Sequence, residues 1–312
     1  MAHFKSLLCL LVVMLLTSCS SSSINQTPVF PEWRNDLGAV QPVMHEGIAR
    51  LLYSKEIGGV ERLVSFDRKL NEESLIDTGN GSVREAVFST DGATIYCVVV
   101  TGSMYEVRRC GVAVASAEIL FESPQIIGGL VANANGSQLA LCIGNPVVGD
   151  DPVFRTSIHT LDLATQKLTR LDAPPRIYQY PIAWNDAGEV IYATSIDGRH
   201  YDVRSWNPKS GADASLRTVD VSSTSAVYVD PQITRAAYLG AAFAPEASHH
   251  LVVFDLDSGA EIFAQVYDYV SGVKFSEAGN LIAFREVSRD HGKSRIHVVD
   301  LRRERDPDVA LR

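Results

Sequence analysis

The sequence predicts an all-β chain: a six-bladed β-propeller of four-stranded antiparallel blades, set behind a cleaved leader and a short linker. Two landmark series, and the apolar strand-length runs between them, carry that expectation. One series is a set of polar turns ending in Gly47, Gly92, Gly136, Gly188 and Gly279, with the Asp230-Pro231-Gln232-Ile233-Thr234 turn in the vacant place. With Thr234 as its landmark there, the spacing is 45, 44, 52, 46 and 45 residues. The other is a set of strand ends at Asp67, Cys110, Asp162, Asn207, Asp255 and Asp300, spaced 43, 52, 45, 48 and 45. A period in the forties with four short strands per unit is that of a propeller blade, whose apolar faces are covered only when neighbours stack around an axis. A β-sandwich with coincidental spacing is the competing architecture.

The elements follow in chain order. Residues 1–18 carry Lys5 and an apolar run from Leu7 to Leu16. That run is too short to span a bilayer, which needs about 20 residues, and has the pattern of a cleaved secretory leader. Residues 19–41 contain Ser, Pro and Asn without sustained alternation and read as a lipidated N-terminus and flexible linker, of which Thr27 to Trp33 is a candidate outer strand for the last blade. Residues 42–312 hold the repeats. In the fourth, Tyr180 to Trp184 is the innermost strand, Asn185-Asp186-Ala187-Gly188 a turn, and Val190 to Thr194, Asp202 to Trp206 and Ser215 to Val219 the remaining strands. Each is rich in Val, Ile, Tyr or Leu and bounded by turn residues.

Two motifs carry resemblances. Leu16-Thr17-Ser18-Cys19 resembles the bacterial lipobox, in which the cysteine becomes the first mature residue and carries acyl chains such as palmitate. Multiple chains anchor stably where one is marginal. Ser20 and Ser21 follow with no Asp beside the cysteine, which by the same resemblance implies the outer membrane, with the globular part in the periplasm. Phe88-Ser89-Thr90-Asp91-Gly92 and Phe275-Ser276-Glu277-Ala278-Gly279, with Ile158 to Leu163 and Leu251 to Leu256, resemble the repeats of TolB-like propellers, a WD-like family, over residues 45–312. No turn keeps the family's full Ser-Pro-Asp-Gly, and the α/β domain that precedes the propeller in TolB has no counterpart.

Charge narrows the partners. The chain has 28 basic and 37 acidic residues, a net of −9, and the leader takes Lys5 with it. That sign, without any basic run, disfavours nucleic acid and anionic headgroups. Apart from Cys9 and Cys19, the cysteines are Cys97, Cys110 and Cys142. A hairpin centred on Ser103-Met104 places Cys97 opposite Cys110, close enough for a disulfide. Alternatively all three are buried thiols acting as small apolar residues.

The sequence lacks a Gly-x-Ser-x-Gly elbow, a phosphate-binding glycine loop, His-Glu-x-x-His and Cys-x-x-Cys. The sixth repeat runs to Arg312, so no peptidase domain is expected after it, and Asp255-Leu256-Asp257-Ser258-Gly259 lacks a calcium loop's ligand set. Two candidate surfaces remain. Loops between second and third strands share one face and carry His200, His249, His250 and His291, with Asp150, Asp151, Asp197 and Asp290 on equivalent loops. Convergence there would make a transition-metal site, and resemblance to propeller lyases of sugar acids implies a divalent metal polarising a substrate carboxylate. The other surface is formed by Arg176, Tyr178, Tyr180, Tyr267 and Tyr269, with Arg84 and Glu85 in blade two, at the approaches to the innermost strands. Tyr and Arg are favoured binding anchors, although the same tyrosines suit packing between blades. The insertion from Asn145 to Arg155 enlarges that rim. The expected function is a membrane-tethered, monomeric, non-catalytic protein binding an envelope protein or a glycan, without a cofactor. The alternative is a metal-dependent lyase.

Overall fold

The computed structural model describes residues 26–30, 32–112, 117–145, 155–174, 176, 178–195, 197–221, 227–241 and 248–302. Within them lie 24 strands and no helix, in six four-stranded antiparallel sheets. Strand β1 (Gln26–Pro28) precedes the blades. Blade one is β2–β5 (Val43–His45, Arg50–Ile57, Val60–Asp67, Glu72–Leu75), and blade two is β6–β9 (Ser82–Phe88, Thr94–Thr101, Met104–Gly111, Ala117–Ser123). Blade three is β10–β13 (Ile127–Ala132, Gln138–Asn145, Arg155–Asp162, Leu168–Arg170), and blade four is β14–β17 (Tyr178–Trp184, Val190–Ser195, His200–Trp206, Asp213–Asp220). Blade five is β18–β21 (Val227–Val229, Arg235–Ala241, His249–Asp255, Glu261–Tyr267). Blade six is β22–β24 (Tyr269–Phe275, Leu281–Val287, Ser294–Asp300), completed on its outside by β1.

Each blade is apolar on both faces, and successive residues of one strand feed different interfaces because a strand alternates its side chains. Ile95, Cys97 and Val99 of β7 pack toward blade one, whereas Tyr96 and Val98 pack toward blade three. Ile282 and Phe284 of β23 join blade five, and Leu281 and Ala283 join blade one. Six apolar clusters result, one per blade interface, in place of a central core.

The landmark turns are real, with two corrections. The turn joining first and second strands needs one left-handed residue. Gly92, Gly136, Gly188 and Gly279 supply it at φ 68°, 65°, 74° and 71°. In blade one the residue is Ala49 (φ 53°), not Gly47, and in blade five it is Ile233 (φ 56°), not Thr234. Each donates its backbone N–H to the carbonyl three residues back, Ala49 to Glu46 and Ile233 to Asp230, as Gly279 does to Ser276. The polar residue opening the turn closes the loop again: Asp230 Oδ1 accepts from the N–H groups of Thr234 and Arg235, and Ser276 Oγ from Leu281. Adjacent turns are linked, through Arg235 Nη1 to the Gly279 carbonyl and Ser276 Oγ to Glu46.

The ring closes through the N-terminal segment. β1 pairs with β24 in the register Gln26↔Val299 and Pro28↔His297, as expected for the region around Thr27. The expected linker, however, extends to residue 41, and the chain belongs to the ring from Gln26 onward. Arg34 exchanges backbone hydrogen bonds with Ser294 of blade six, and its guanidinium pairs with Glu73 of blade one. Phe30 packs on Tyr53 and Phe66, and Leu37 is buried in the cluster between blades six and one. Apolar side chains in a Ser- and Pro-bearing stretch anchor what composition alone reads as linker.

The hairpin of blade two also differs from expectation. Its turn is Gly102-Ser103, with Gly102 at φ 63°, so Cys97 pairs with Arg108 and Cys110 with Ile95. The two cysteines are therefore diagonal rather than opposite, with sulfurs 3.7 Å apart as free, buried thiols. Cys142 is likewise a buried free thiol, and burial pushes its pKa well up.

Candidate functional site

The first strands of the blades line the axis, and two cavities lie end to end along it. On the turn face a recess of about 410 Å³ draws lining residues from every blade, among them Met44, Phe88, Leu130, Trp184, Gln232 and Phe275. Trp184 is fixed in orientation by its indole N–H, which donates to the Val131 carbonyl at 3.2 Å. His45 sits at the edge, its Nε2 3.0 Å from the Thr90 carbonyl and its Nδ1 3.4 Å from Glu277. Burial raises the pKa of Glu277. Toward the loop face a second cavity of about 320 Å³ is lined by Gln41, Glu85, Tyr180, Tyr228 and Val273 among others. Both cavities touch Lys274, whose Nζ lies 3.7 Å from Glu85 Oε1, linking blade six to blade two. Glu85 also accepts from the N–H groups of Gly129 (2.6 Å) and Leu130 (2.9 Å), so this carboxylate is held structurally.

A backbone device aims these side chains. The inner strands of blades two, three, four and six each carry a register shift, between Val83 and Glu85, Gly128 and Val131, Pro181 and Ala183, and Ser271 and Lys274. A bulge bends a strand and redirects a side chain. Arg84 is the extra residue in blade two and is exposed.

The other expected aromatic anchors separate. Tyr180 lines the loop-side cavity, but its hydroxyl donates to the Val227 carbonyl and its ring packs between blades. Burial pushes its pKa well up. Tyr267 is 5% exposed and meets Phe284 and His297 edge to face in the cluster between blades five and six, so it is a packing residue rather than a surface anchor. Tyr269 is 50% exposed, its ring 4.5 Å from that of His249. Tyr178 opens β14, and its side chain lies outside the described residues, as do Cys19 and the loop residues 146–154 with Asp150 and Asp151.

The four loop histidines are not brought together. His249 is held through Nδ1 against the backbone of Val270. His250 follows it on β20 and therefore faces the other way. His291 packs on Trp33 at a ring distance of 5.3 Å. His200 pairs with Asp197, Nδ1 to Oδ2 2.6 Å, and that carboxylate raises its pKa. Among the described residues no group of three or more His, Cys, Asp or Glu has the geometry of a metal centre.

A third space lies off the axis, between blades three and four. This cleft of about 430 Å³ is lined by Arg176, Gln179, Tyr192, Thr194, His200 and Arg204, with Asp197, Asp202 and Asp213 among them. Arg176 is positioned by a backbone bridge to Thr156, and Gln179 by pairing with Thr194. Gln179, Lys274 and Trp184 carry no sequence motif. Lys274 and Trp184 stand at or beside inner-strand bulges, whereas Gln179 lies in the regularly paired start of β14.

No family model and no curated protein matches this sequence. Solved structures do. An oligogalacturonate lyase in complex with manganese is 13% identical, with 91% of this chain and 94% of that one covered and a TM-score of 0.57. TolB from Acinetobacter baumannii is 12% identical, with 82% and 66% covered and a TM-score of 0.56. A luciferin-regenerating enzyme is 9% identical, with 89% and 95% covered and a TM-score of 0.59. The likeness is one of fold. These neighbours include enzymes as well as TolB, so shared architecture does not select a chemistry.

Proposed function

We propose that this chain is a lipid-anchored, non-catalytic binding protein of a bacterial envelope, whose turn-face recess accepts an apolar or aromatic segment of another envelope protein. The recess itself carries the reading. It is concave and lined from all six blades, with Met44, Phe88, Leu130, Trp184 and Phe275 as its apolar wall and Lys274, Glu277 and Gln232 as its polar contacts. Such a composition, mostly apolar with a few placed polar groups, is that of a recognition pocket. The lipobox-like Leu16-Thr17-Ser18-Cys19 supports the anchor. Outer strands that are short or charged, such as Glu72–Leu75, support a monomer.

A photoreactive side chain placed at Gln232, on the exposed lip of the recess, tests the reading in intact cells. A discrete protein adduct that disappears when Met44 is replaced by Lys is the expected result. Capture of glycan or lipid alone, or of nothing, overturns it. Labelling with palmitate tests the anchor separately, and Cys19→Ala abolishes the label if the cysteine is the acceptor.

A further inference from the structure

The cleft between blades three and four shares no lining residue with the axial cavities. Its three carboxylates are all engaged. Asp213 Oδ1 accepts from the Tyr192 hydroxyl at 2.9 Å and from Arg204 Nε at 3.1 Å. Asp202 accepts from Arg204 Nη1 and from the Ser215 hydroxyl, each at 2.6 Å. Asp197 accepts from His200 Nδ1 and from the backbone N–H groups of Arg199 and His200.

Four polar groups in the cleft have no such engagement. The Arg176 guanidinium, the Thr194 hydroxyl and the Gln179 amide have no hydrogen-bond or ion-pair partner among the described residues, and Nε2 of His200 is free because Nδ1 serves Asp197. Gln179 is the telling one. It is 5% exposed, and its buried Oε1 has no hydrogen-bond partner. Buried side-chain amides are nearly always paired, and a lone exception inside a cleft points to a missing partner. An amide carries an acceptor oxygen beside a donor nitrogen, so a group able both to donate and to accept, such as a hydroxyl, suits it.

We infer that this cleft binds a small hydroxylated monocarboxylate. The carboxylate accepts the paired N–H groups of Arg176, a geometry guanidinium suits, and a further hydrogen bond from His200. A hydroxyl of the ligand exchanges hydrogen bonds with Gln179 and Thr194. The charge balance selects a monoanion. Two guanidiniums and one imidazole face three carboxylates, with Arg204 already engaged by Asp202 and Asp213, so a dianion such as phosphate meets more repulsion than a monoanion does. The pairing of His200 with Asp197 favours its cationic form, consistent with an anionic ligand.

Titration of the full mature chain with D-gluconate and with glycerate at pH 6, against glucose and sulfate as comparators, tests this by calorimetry. At least one carboxylate binds with a Kd of about 1 mM or tighter. Arg176→Gln and Gln179→Leu each weaken it by about tenfold or more, and glucose and sulfate bind at least about tenfold more weakly. Thr194→Val, at a partly exposed position, replaces Gln179→Leu should that variant fail to fold. Neither carboxylate binding, or binding indifferent to all of these substitutions, overturns the inference. Because crosslinking at Gln232 reads a different cavity, its outcome leaves this one unaffected.

Discussion

Replacing Gln179 by Leu should make the free protein more stable. The amide is 5% exposed with its oxygen unpaired, and an unsatisfied buried polar group costs about 1–3 kcal/mol. Leu removes the orphan while keeping nearly the same volume. The backbone contribution of the residue persists, because the Gln179 carbonyl still accepts from the Cys142 thiol at 3.1 Å and the Thr156 hydroxyl at 2.9 Å. Its strand partner Thr194 is untouched. For a domain of this size each kcal/mol moves Tm by roughly 2–4 °C, so an increase of roughly 2–12 °C is expected. Calorimetry and urea unfolding on the same protein measure it, with the midpoint shifting and the m value unchanged. Stability gained at a binding position is the usual counterpart of lost function. A Tm unchanged or lowered would mean that the amide is already satisfied, and both this reasoning and the inferred site would lose their main support.

Other perturbations follow from the same geometry. Gly279→Ala places a Cβ 2.6 Å from Asp230 Oδ2 at φ 71°, so it should destabilise by about 2 kcal/mol or more, measured by urea unfolding, through left-handed strain and displacement of the buried turn carboxylate. His159, with Nε2 2.9 Å from the Ser157 hydroxyl, is pushed down to about 4 by burial and then by Arg170. The unfolded chain, with an ordinary pKa of about 6.5, therefore binds the proton more readily. The contribution of neutral His159 is complete above about pH 6.5 and drains as pH falls toward 4, so His159→Gln should flatten the stability profile over that interval. A chain beginning at residue 36 should melt lower than one beginning at residue 26 and aggregate more readily, because the edge of β24 and the faces of Tyr53 and Phe66 lose their cover.

Blade number, strand order and chain closure were legible because period and apolar run length reflect blade geometry directly. The turn landmarks failed only in blades one and five. Gly47 and Thr234 mark those turns in the sequence, but Ala49 and Ile233 are the residues that take the left-handed conformation. The cysteine register depends on one residue of turn placement: a hairpin centred on Ser103-Met104 sets Cys97 opposite Cys110, whereas the turn at Gly102-Ser103, with Gly102 at φ 63°, makes them diagonal. Period-two alternation alone separates His249 from His250, whereas the distance of His200 and His291 from either is a matter of blade placement. Gln179 was not legible at all. A glutamine in an apolar strand looks like an exposed edge residue until the neighbouring blade covers it.

If Cys19 carries the proposed lipid, the strand that seals the ring would also set how the molecule hangs from it. Gln26, the first residue of β1, follows Cys19 by seven positions, a length that spans at most roughly 25 Å when fully extended. An acylated Cys19 would thus suspend the disc by its rim, at the outer edge of blade six, with the axis free to tilt and the opposite rim farthest from the lipid. Any tug on the anchor would load β1 first. Three residues of backbone pairing, the packing of Phe30 on Tyr53 and the Arg34–Glu73 bridge would act as the clasp that resists it.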